Sequence, residues 1–244
     1  MNKLVLIIVG IVSFSCKSIH SVNNRNALSV SIDTLLLDKI SIRALVLDHD
    51  KVWYAGDQSR FGYFDLKTNQ KKQIKIPSEK NAEFRSIAQT EKYVFILNVG
   101  NPAFLYKISK EDLSYELVYQ ENNEKVFYDS MQFWNNKEGI AIGDPIEASF
   151  SVITTRDGGL SWQKIPSDQL PQLADGEAAF AASNTNIVIK GNLTWLVSGG
   201  KKARVFYSSD KGVSWSVIET PIVQGKQMTG IFTADFYNST IGFI

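Results

Sequence analysis

Cysteine, histidine and net charge are scarce in this sequence. Its 244 residues include one cysteine and two histidines, which excludes a disulfide framework, a Cys/His zinc cluster and a Cys–His protease dyad. The 26 basic and 25 acidic residues leave a formal net charge of +1, which gives no overall electrostatic attraction for nucleic acid. We therefore expect no metal, no cofactor and no nucleic-acid partner.

Long apolar runs are scarce as well. The N-terminal run, Leu4–Val12, has nine residues and would span about 14 Å as a helix, which is too short for a bilayer core. It follows the basic residue Lys3 and precedes three residues, two of them serines, and then Cys16. This arrangement is typical of a secretory signal.

We predict a lipoprotein signal peptide over residues 1–16, cleaved before Cys16, whose thiol and new amino group are acylated. Residues 17–26 are polar and are predicted to form a tether, and residues 27–244 are predicted to form the folded domain. Two or more acyl chains would anchor that domain to a membrane of the bacterial envelope, on its periplasmic or outer-membrane face. The alternative is an ordinary signal peptide with an incidental cysteine.

The rest of the chain predicts an all-β fold. No segment longer than about a dozen residues keeps a helical period, and short apolar runs alternate with polar turns. A pair of strands recurs five times. The first strands are Ser41–Leu47, Phe84–Ala88, Asp129–Trp134, Glu177–Ala182 and Thr229–Ala234. The second strands are Val52–Asp57, Tyr93–Asn101, Gly139–Asp144, Thr194–Gly200 and Ile241–Ile244.

The spacing of these units is that of β-propeller blades. Alignment of Arg43, Arg85, Asp129, Glu177 and Thr229 gives steps of 42, 44, 48 and 52 residues, and a period in the forties indicates four-stranded blades. About four and a half blades are present, whereas we expect roughly six to eight in the closed ring. Because the chain stops inside a strand, we expect C-terminal truncation. The alternative is that 27–37 closes a four-bladed ring.

Two units carry a sharper motif. The segments Thr155–Trp162 and Ser209–Trp215 match the Asp-box pattern, an aspartate and a glycine followed by Ser-Trp. The aspartate is expected to accept backbone N–H groups of its own turn, the glycine to supply an unusual dihedral angle, and the tryptophan to pack over the hairpin. The structural residues predicted for these turns are Asp157, Gly159, Trp162, Asp210, Gly212 and Trp215.

These turns, together with four further stretches, resemble bacterial BNR/Asp-box β-propeller proteins related to the photosystem-assembly-factor group and to sialidases. The stretches are Ser41–Ala44, Gly100–Tyr106, Gly139–Pro145 and Gly176–Ser183. The resemblance implies a propeller that acts as a periplasmic or lipoprotein binding module as much as an enzyme. It also places the Asp-box turns between the two outer strands of a blade, remote from the central channel.

Candidate ligand-binding residues follow from the repeat. First strands are expected to begin at one mouth of the channel, where charged residues are unusual in strands that face neighbours. Those residues are Arg43, Arg85, Asp129 and Glu177, and the second strands end nearby with Asp57, Asn101, Asp144 and Lys201. The pattern predicts a pocket for a small anionic or sugar-like ligand or a peptide terminus. The alternative is that the arginines pair with Asp129 and Glu177 inside a water-filled channel.

We therefore expect an envelope-anchored binding or assembly module, with a protein or a small anionic or carbohydrate ligand as partner. A sialidase-type glycosidase is the alternative, with Asp129 and Glu177 as its carboxyl pair. Against it, Phe84–Ile87 has Ser86 after Arg85 and lacks the proline of the sialidase Arg-Ile-Pro segment. An oxidoreductase is less expected, since no Gly-rich dinucleotide motif or Cys/Met cluster is present.

Overall fold

Twenty β-strands and one 3-10 turn form the regular secondary structure of the described residues, which are 30–77, 81–180 and 184–244 of a computed structural model. The chain divides into two compact units, 1–35 and 36–244, and all twenty strands lie in the second. Cys16, the signal peptide predicted over 1–16 and the tether predicted over 17–26 lie outside the described residues. So do residues 27–29 of the segment 27–37, whose other residues contain no strand.

The strands follow one another as antiparallel meanders. In chain order they are β1 (Ile42–Asp48), β2 (Lys51–Gly56), β3 (Arg60–Asp65), β4 (Lys71–Lys75), β5 (Phe84–Gln89), β6 (Tyr93–Asn98), β7 (Ala103–Ser109), β8 (Tyr115–Glu121), β9 (Tyr128–Phe133), β10 (Gly139–Gly143), β11 (Ser151–Thr155), β12 (Gln163–Lys164), β13 (Glu177–Ala178), β14 (Ile187–Lys190), β15 (Leu193–Val197), β16 (Gly199–Gly200), β17 (Arg204–Ser208), β18 (Ser216–Glu219), β19 (Asp235–Phe236) and β20 (Gly242–Phe243).

Sixteen of these strands form four four-stranded sheets, which we call blades 1 to 4. Their strand orders are β1-β2-β3-β4, β5-β6-β7-β8, β9-β10-β11-β12 and β14-β15-β17-β18. Two-stranded pairs β13-β16 and β19-β20 complete the sheet structure of the described residues. The prediction of an all-β chain with four four-stranded units and part of a fifth is therefore confirmed.

The core lies between successive blades rather than within one sheet. Middle strands such as β10 are buried along their whole length, whereas outer strands such as β4 and β18 are mostly exposed. Sheets that are covered on both faces read as continuous apolar runs, which explains the sequences of the middle strands. Four apolar clusters join consecutive units, represented by Trp53 with Phe84, Phe95 with Trp162, Phe150 with Phe206 and Trp195 with Phe236.

The first strands of the blades lie side by side around a common axis. β1 packs beside β5, β5 beside β9, and β9 beside β14. Asn184, which precedes β14, ties three blades together at this axis. Its Nδ2–H donates to the Ile87 carbonyl at 2.9 Å, and its Oδ1 accepts from the Met131 N–H at 2.8 Å.

Blade 4 differs from its prediction. Of the first strand predicted over Glu177–Ala182, residues 177–178 form β13, residues 179–180 form no strand, and 181–183 are outside the described part. The strand that pairs with β15 is β14, Ile187–Lys190. Beyond β13, Phe180 packs on Gly199, where a Cβ would lie 2.2 Å from the ring, so this glycine is required by the close approach.

The fifth unit is also shifted. The predicted first strand, Thr229–Ala234, forms only an isolated bridge from Gly230 to Gly199, and its backbone bonds otherwise reach blade 4, as in Ile231 N–H to Ser198 O at 3.1 Å. The first strand of the pair is β19, Asp235–Phe236. The segment 229–234 therefore completes blade 4 before the next hairpin begins.

Candidate functional site

Four of the predicted ligand-binding residues line one cavity on the propeller axis. Arg43, Arg85, Asp129 and Asp144 surround a volume of about 570 Å³. They come from blades 1, 2 and 3, and residues 178–180 before blade 4 and 228–232 after it supply most of the remaining wall. The repeat in the sequence thus identified residues from separate blades that the fold brings to one place.

β-Bulges aim three of these side chains. In blade 3, Tyr128 pairs with Gly143 and Ser130 pairs with Ile142, which leaves Asp129 as the extra residue between them. Arg43 in β1 and Arg85 in β5 occupy the same extra position in their own strands. A bulge turns its extra residue away from the regular alternation, so the three side chains reach the cavity instead of a blade interior.

Asp129 is the most unusual group in the site. Its side chain is 1% exposed, and neither carboxylate oxygen has a hydrogen-bond partner among the described residues. Burial, with a smaller contribution from the negative charge of Asp144, raises the pKa of Asp129 well above its usual range, while the charge of Arg85 opposes the shift. A buried carboxylate without a partner is costly, so it marks a candidate site for a ligand.

Asp144 lies directly beyond the end of β10. Its backbone N–H donates to the Phe127 carbonyl at 2.8 Å, and its Oδ1 accepts from the Ala179 N–H at 3.2 Å. Burial raises its pKa to about 6, although the Ala179 hydrogen bond opposes this. The preceding Gly143 is required by close packing, since a Cβ there would lie 2.2 Å from the Phe127 carbonyl oxygen.

The two arginines share one acidic neighbour that the sequence reading missed. The Nε and Nη2 of Arg85 both lie 2.9 Å from Oε1 of Glu83. Nε of Arg43 lies 4.0 Å from the same oxygen, and the Arg43 side chain is 44% exposed. Arg43 is therefore the guanidinium that remains most available to a ligand. The sequence did contain a signal for this ion pair, because Glu83 and Arg85 are charges of opposite sign two residues apart.

An apolar wall faces the charged groups. Phe180 and Phe232 stack with ring centroids 4.2 Å apart at an interplanar angle of 13°, and both line the cavity. Met228 and Phe127 lie on the same lining, and the Arg85 guanidinium lies 5.8 Å from the Phe127 ring centroid. The sequence analysis did not find this wall, because it placed Phe180 and Phe232 in two predicted first strands, whereas in the structure neither residue lies in a strand.

Glu177 does not join the cavity. It pairs with Gly200 in the position that Tyr128 holds in blade 3, one residue before the bulge position, so its side chain enters the blade. There it is 2% exposed, and its carboxylate accepts from the Arg204 Nε at 2.9 Å and from the Ser198 hydroxyl at 2.5 Å. The alignment of Glu177 with Asp129 is therefore off by one residue.

The ion pairs differ from the alternative considered for the channel. In the described residues the arginines Arg43 and Arg85 pair with Glu83, while Glu177 pairs with Arg204. Asp129 forms no ion pair within that part of the chain. A water-filled channel balanced by the four predicted charges is thus replaced by a Glu83 carboxylate shared by two arginines, a Glu177–Arg204 pair and one unpaired carboxylate.

The other residues predicted at the second-strand ends lie outside the cavity lining. Asp57 accepts from the Ser41 N–H at 3.1 Å and pairs with Arg60 at 2.5 Å, which closes a turn. Asn101 is exposed, and Lys201 pairs with Asp175 at 2.9 Å. Glu177 and Asp144 line a neighbouring depression of about 640 Å³. That Asp57, Asn101 and Lys201 contact a ligand stays a prediction.

The two motif turns lie between β11 and β12 and between β17 and β18, at the outer edge of blades 3 and 4. Oδ1 of Asp157 accepts the N–H groups of residues 160 and 161 at 3.0 Å each, and Asp210 makes the equivalent contacts in blade 4. Gly159 and Gly212 have φ values of +76° and +78°. Ser208, one residue before the predicted start, occupies the position of Thr155.

The tryptophans of the two turns pack differently. Trp162 lies edge-on to Phe95, with ring centroids 6.3 Å apart, so it joins the apolar cluster between blades 2 and 3. The Trp215 indole N–H donates to the Gly212 carbonyl at 3.1 Å, which closes its own turn. Neither tryptophan lines the axial cavity, so these turns are part of the scaffold.

In residues 30–77, 81–180 and 184–244, no three His, Cys, Asp or Glu side chains converge in a way that could hold a metal ion. Over the same ranges no helix has the length and apolarity needed to cross a membrane.

Comparison with known proteins identifies the fold. No family model matches the sequence, and no curated protein matches it either. Among solved structures, U3-55K is 13% identical with a TM-score of 0.54, and the alignment covers 75% of this chain and 53% of that one. The WD40 repeats of RRP9 are 13% identical with a TM-score of 0.53, covering 75% of this chain and 52% of that one.

The chain has a β-propeller fold. It spans about half the length of the two propeller structures that it matches. At 13% identity the similarity extends to the fold alone, and the blades, the axial packing of first strands and the central cavity agree with it.

Proposed function

We propose that this propeller is a non-enzymatic binding or assembly module whose ligand site is the axial cavity. The observation that carries the proposal is the Asp129 carboxylate, which lines the cavity while both of its oxygens lack a partner among the described residues. Native proteins rarely leave a buried charged group without a partner, and such groups cluster at functional sites. Arg43 and Arg85 on the same lining supply donors for a ligand.

The ligand that we propose is a small anionic or carbohydrate molecule or the end of a partner protein chain. The test measures thermal shift and calorimetric binding with three probes: N-acetylneuraminic acid, maltotriose and the dipeptide leucyl-leucine. We expect at least one probe to bind the full chain and to lose at least tenfold in affinity with the Arg43→Ala, Arg85→Ala double variant. Binding that is unchanged in the double variant, or no binding by any probe, would overturn the proposal.

We further propose that the protein is an exported, lipid-anchored member of the BNR/Asp-box group, held to an envelope membrane through Cys16. This rests on the apolar run before Cys16 and on the two Asp-box segments. Radiolabelled palmitate should mark the wild-type chain and fail to mark the Cys16→Ala variant. Equal labelling of the two chains, or none in the wild type, would refute the anchor.

A sialidase-type glycosidase is the second candidate, and one observation favours it. Asp129 and Asp144 are two cavity-lining carboxyls whose pKa values are raised, as a general acid requires. The tyrosine–glutamate contact in the structure argues against it: Tyr128 donates to Glu121 at 2.7 Å, yet burial raises its pKa, and neither residue lines the cavity. An activated nucleophile needs the opposite shift.

The glycosidase candidate is tested with 4-methylumbelliferyl glycosides, including the N-acetylneuraminic acid derivative. Release of the fluorophore that disappears in the Asp144→Asn variant would favour the enzyme and overturn a purely binding role. If the full chain releases no fluorophore from any of these substrates, the binding role stands.

A further inference from the structure

We infer that the ligand of the axial cavity is a short apolar peptide with both termini free, its ammonium held by Asp129 and Asp144 and its carboxylate by Arg43. This inference rests on the proposed binding function and names the ligand class. Three features of the lining carry it: two carboxylates with three oxygens that lack a partner among the described residues, an available guanidinium and a stacked aromatic wall.

The carboxylates of Asp129 and Asp144 fit an ammonium group. Both Asp129 oxygens lack partners among the described residues, and Asp144 uses only Oδ1, for the Ala179 N–H. An ammonium donates three hydrogen bonds, which equals the three carboxylate oxygens that remain. Its positive charge would also remove the repulsion between the two carboxylates, which a neutral hydroxyl group cannot do.

The Arg43 guanidinium fits a carboxylate. Arg43 makes only the 4.0 Å contact with Glu83 among the described residues, so its fork of N–H donors is free to bind a carboxylate in the bidentate manner. The Arg85 guanidinium already pairs with Glu83 at 2.9 Å and lies near the Phe127 ring, so it has fewer free donors for a ligand than Arg43 has. The presence of both carboxylates and a guanidinium on the lining favours a ligand that carries both signs of charge over a simple anion.

The remaining wall matches apolar side chains. The stacked rings of Phe180 and Phe232 and the exposed Met228 supply apolar and aromatic surface on the cavity lining. A volume of about 570 Å³ lies within the range of sites for small organic ligands and leaves room for two or three residues. A ligand of hydroxyl groups alone would leave this wall without an apolar partner.

A pH dependence separates an ammonium from other ligands. The charged groups that share the cavity lining with Asp129 are Arg43, Arg85 and Asp144, and Glu83 lies behind them as the partner of both arginines. Residues 178–180, which precede blade 4, and the segment 228–232 carry no charge. Because an ammonium binds the ionised carboxylates, its affinity should rise as the pH rises through the range in which they lose their protons.

The experiment is calorimetric titration of the full chain with leucyl-leucine, its N-acetyl derivative and its C-terminal amide. We expect leucyl-leucine to bind and each blocked form to bind at least tenfold more weakly. Affinity for leucyl-leucine should increase at least fivefold from about pH 5 to about pH 7. The variants Asp129→Asn and Arg43→Ala should each lose at least tenfold, while Asp168→Asn, on an exposed turn, should not change affinity.

The outcomes separate the two proposals. If leucyl-leucine fails to bind while N-acetylneuraminic acid or maltotriose binds and requires Arg43 and Arg85, the peptide inference is wrong and the binding function stands. Equal affinity for free and blocked dipeptides, or affinity that falls as the pH rises, also overturns the peptide inference. If none of the probes binds, both proposals are wrong. Melting curves of each variant confirm that the chain is folded in every titration.

Discussion

The carboxyl groups of Asp129 and Asp144 line the same cavity from the adjoining ends of two paired strands. Tyr128 at the start of β9 pairs with Gly143 at the end of β10, and Asp129 and Asp144 each lie one residue from this pair. Burial raises the pKa of both groups, and their shared negative charge adds to the shift at Asp129. The bulge at Asp129 therefore places two carboxyl groups with raised pKa values on one cavity.

The Asp129→Asn variant should be more stable than the wild type at neutral pH. In the wild type, the raised pKa means that the Asp129 carboxyl group keeps its proton to a higher pH in the folded chain than in the unfolded chain. The contribution of Asp129 to stability is therefore fully present below its unfolded pKa, about 4, and is lost as the pH rises through its raised folded-state pKa. Asparagine mimics the protonated acid, so we expect a gain of the order of 1–3 kcal/mol near pH 7.5. Thermal melts near pH 4 should show little difference, and an equal or lower melting temperature near pH 7.5 would contradict the prediction.

The motif turns should give the opposite pH dependence. The pKa of Asp210 is lowered to about 2, chiefly by the hydrogen bond from the Ser214 hydroxyl. Burial raises that of Asp157, but hydrogen bonds led by that from the Ser161 hydroxyl outweigh it and lower the pKa to about 2. Their contribution to stability is present above about pH 4 and is lost as the pH falls towards 2.

The Asp157→Ala variant should therefore unfold at a lower urea concentration near pH 7, with a loss of about 1–2 kcal/mol from the missing hydrogen bonds. The difference from the wild type should shrink near pH 2.5. The matched control is Asp168→Ala, an exposed carboxylate on a turn, which should leave the midpoint unchanged. A loss that is independent of pH would show that these hydrogen bonds are not its cause.

The Glu177–Arg204 pair should behave as a buried structural ion pair. Glu177→Ala leaves the Arg204 guanidinium partly buried without its partner, so we expect a loss of about 3–5 kcal/mol in urea unfolding. The double variant Glu177→Met, Arg204→Leu should recover most of that loss, because no charge is left unpaired. If the double variant loses as much as the sum of the single changes, the two residues do not act as a pair.

Gly143 should tolerate no side chain. The Gly143→Ala variant places a Cβ 2.2 Å from the Phe127 carbonyl oxygen, so the ends of β9 and β10 must separate. We expect a loss of about 1–3 kcal/mol and weaker binding at the cavity, because Asp144 follows directly. Gly100→Ala is the control, since no atom lies within 4 Å of its Cβ position. Equal melting temperatures for the two variants would rule out the crowding.

Sequence periodicity predicted the blades because each is a local meander whose strands and turns are consecutive in the chain. It predicted Asp157 and Asp210 in their turns for the same reason: every contact that they make lies within four residues. It was wrong by one position at Glu177 and missed β14. After β13 the chain leaves the strand and Phe180 packs against Gly199, a contact between segments that the periodicity of a single strand does not show.

The sequence by itself determined the all-β class, the repeat of four strands and the placement of charged residues at the starts of inner strands. Only the tertiary structure decided which of those charges meet. Arg43 and Arg85 are 42 residues apart in sequence, Arg85 and Asp129 are 44 apart, and β-bulges turn all three towards one axis. Burial in the folded chain shifts the pKa of Asp129, and burial depends on which segments pack around the residue, which the sequence of one strand does not specify.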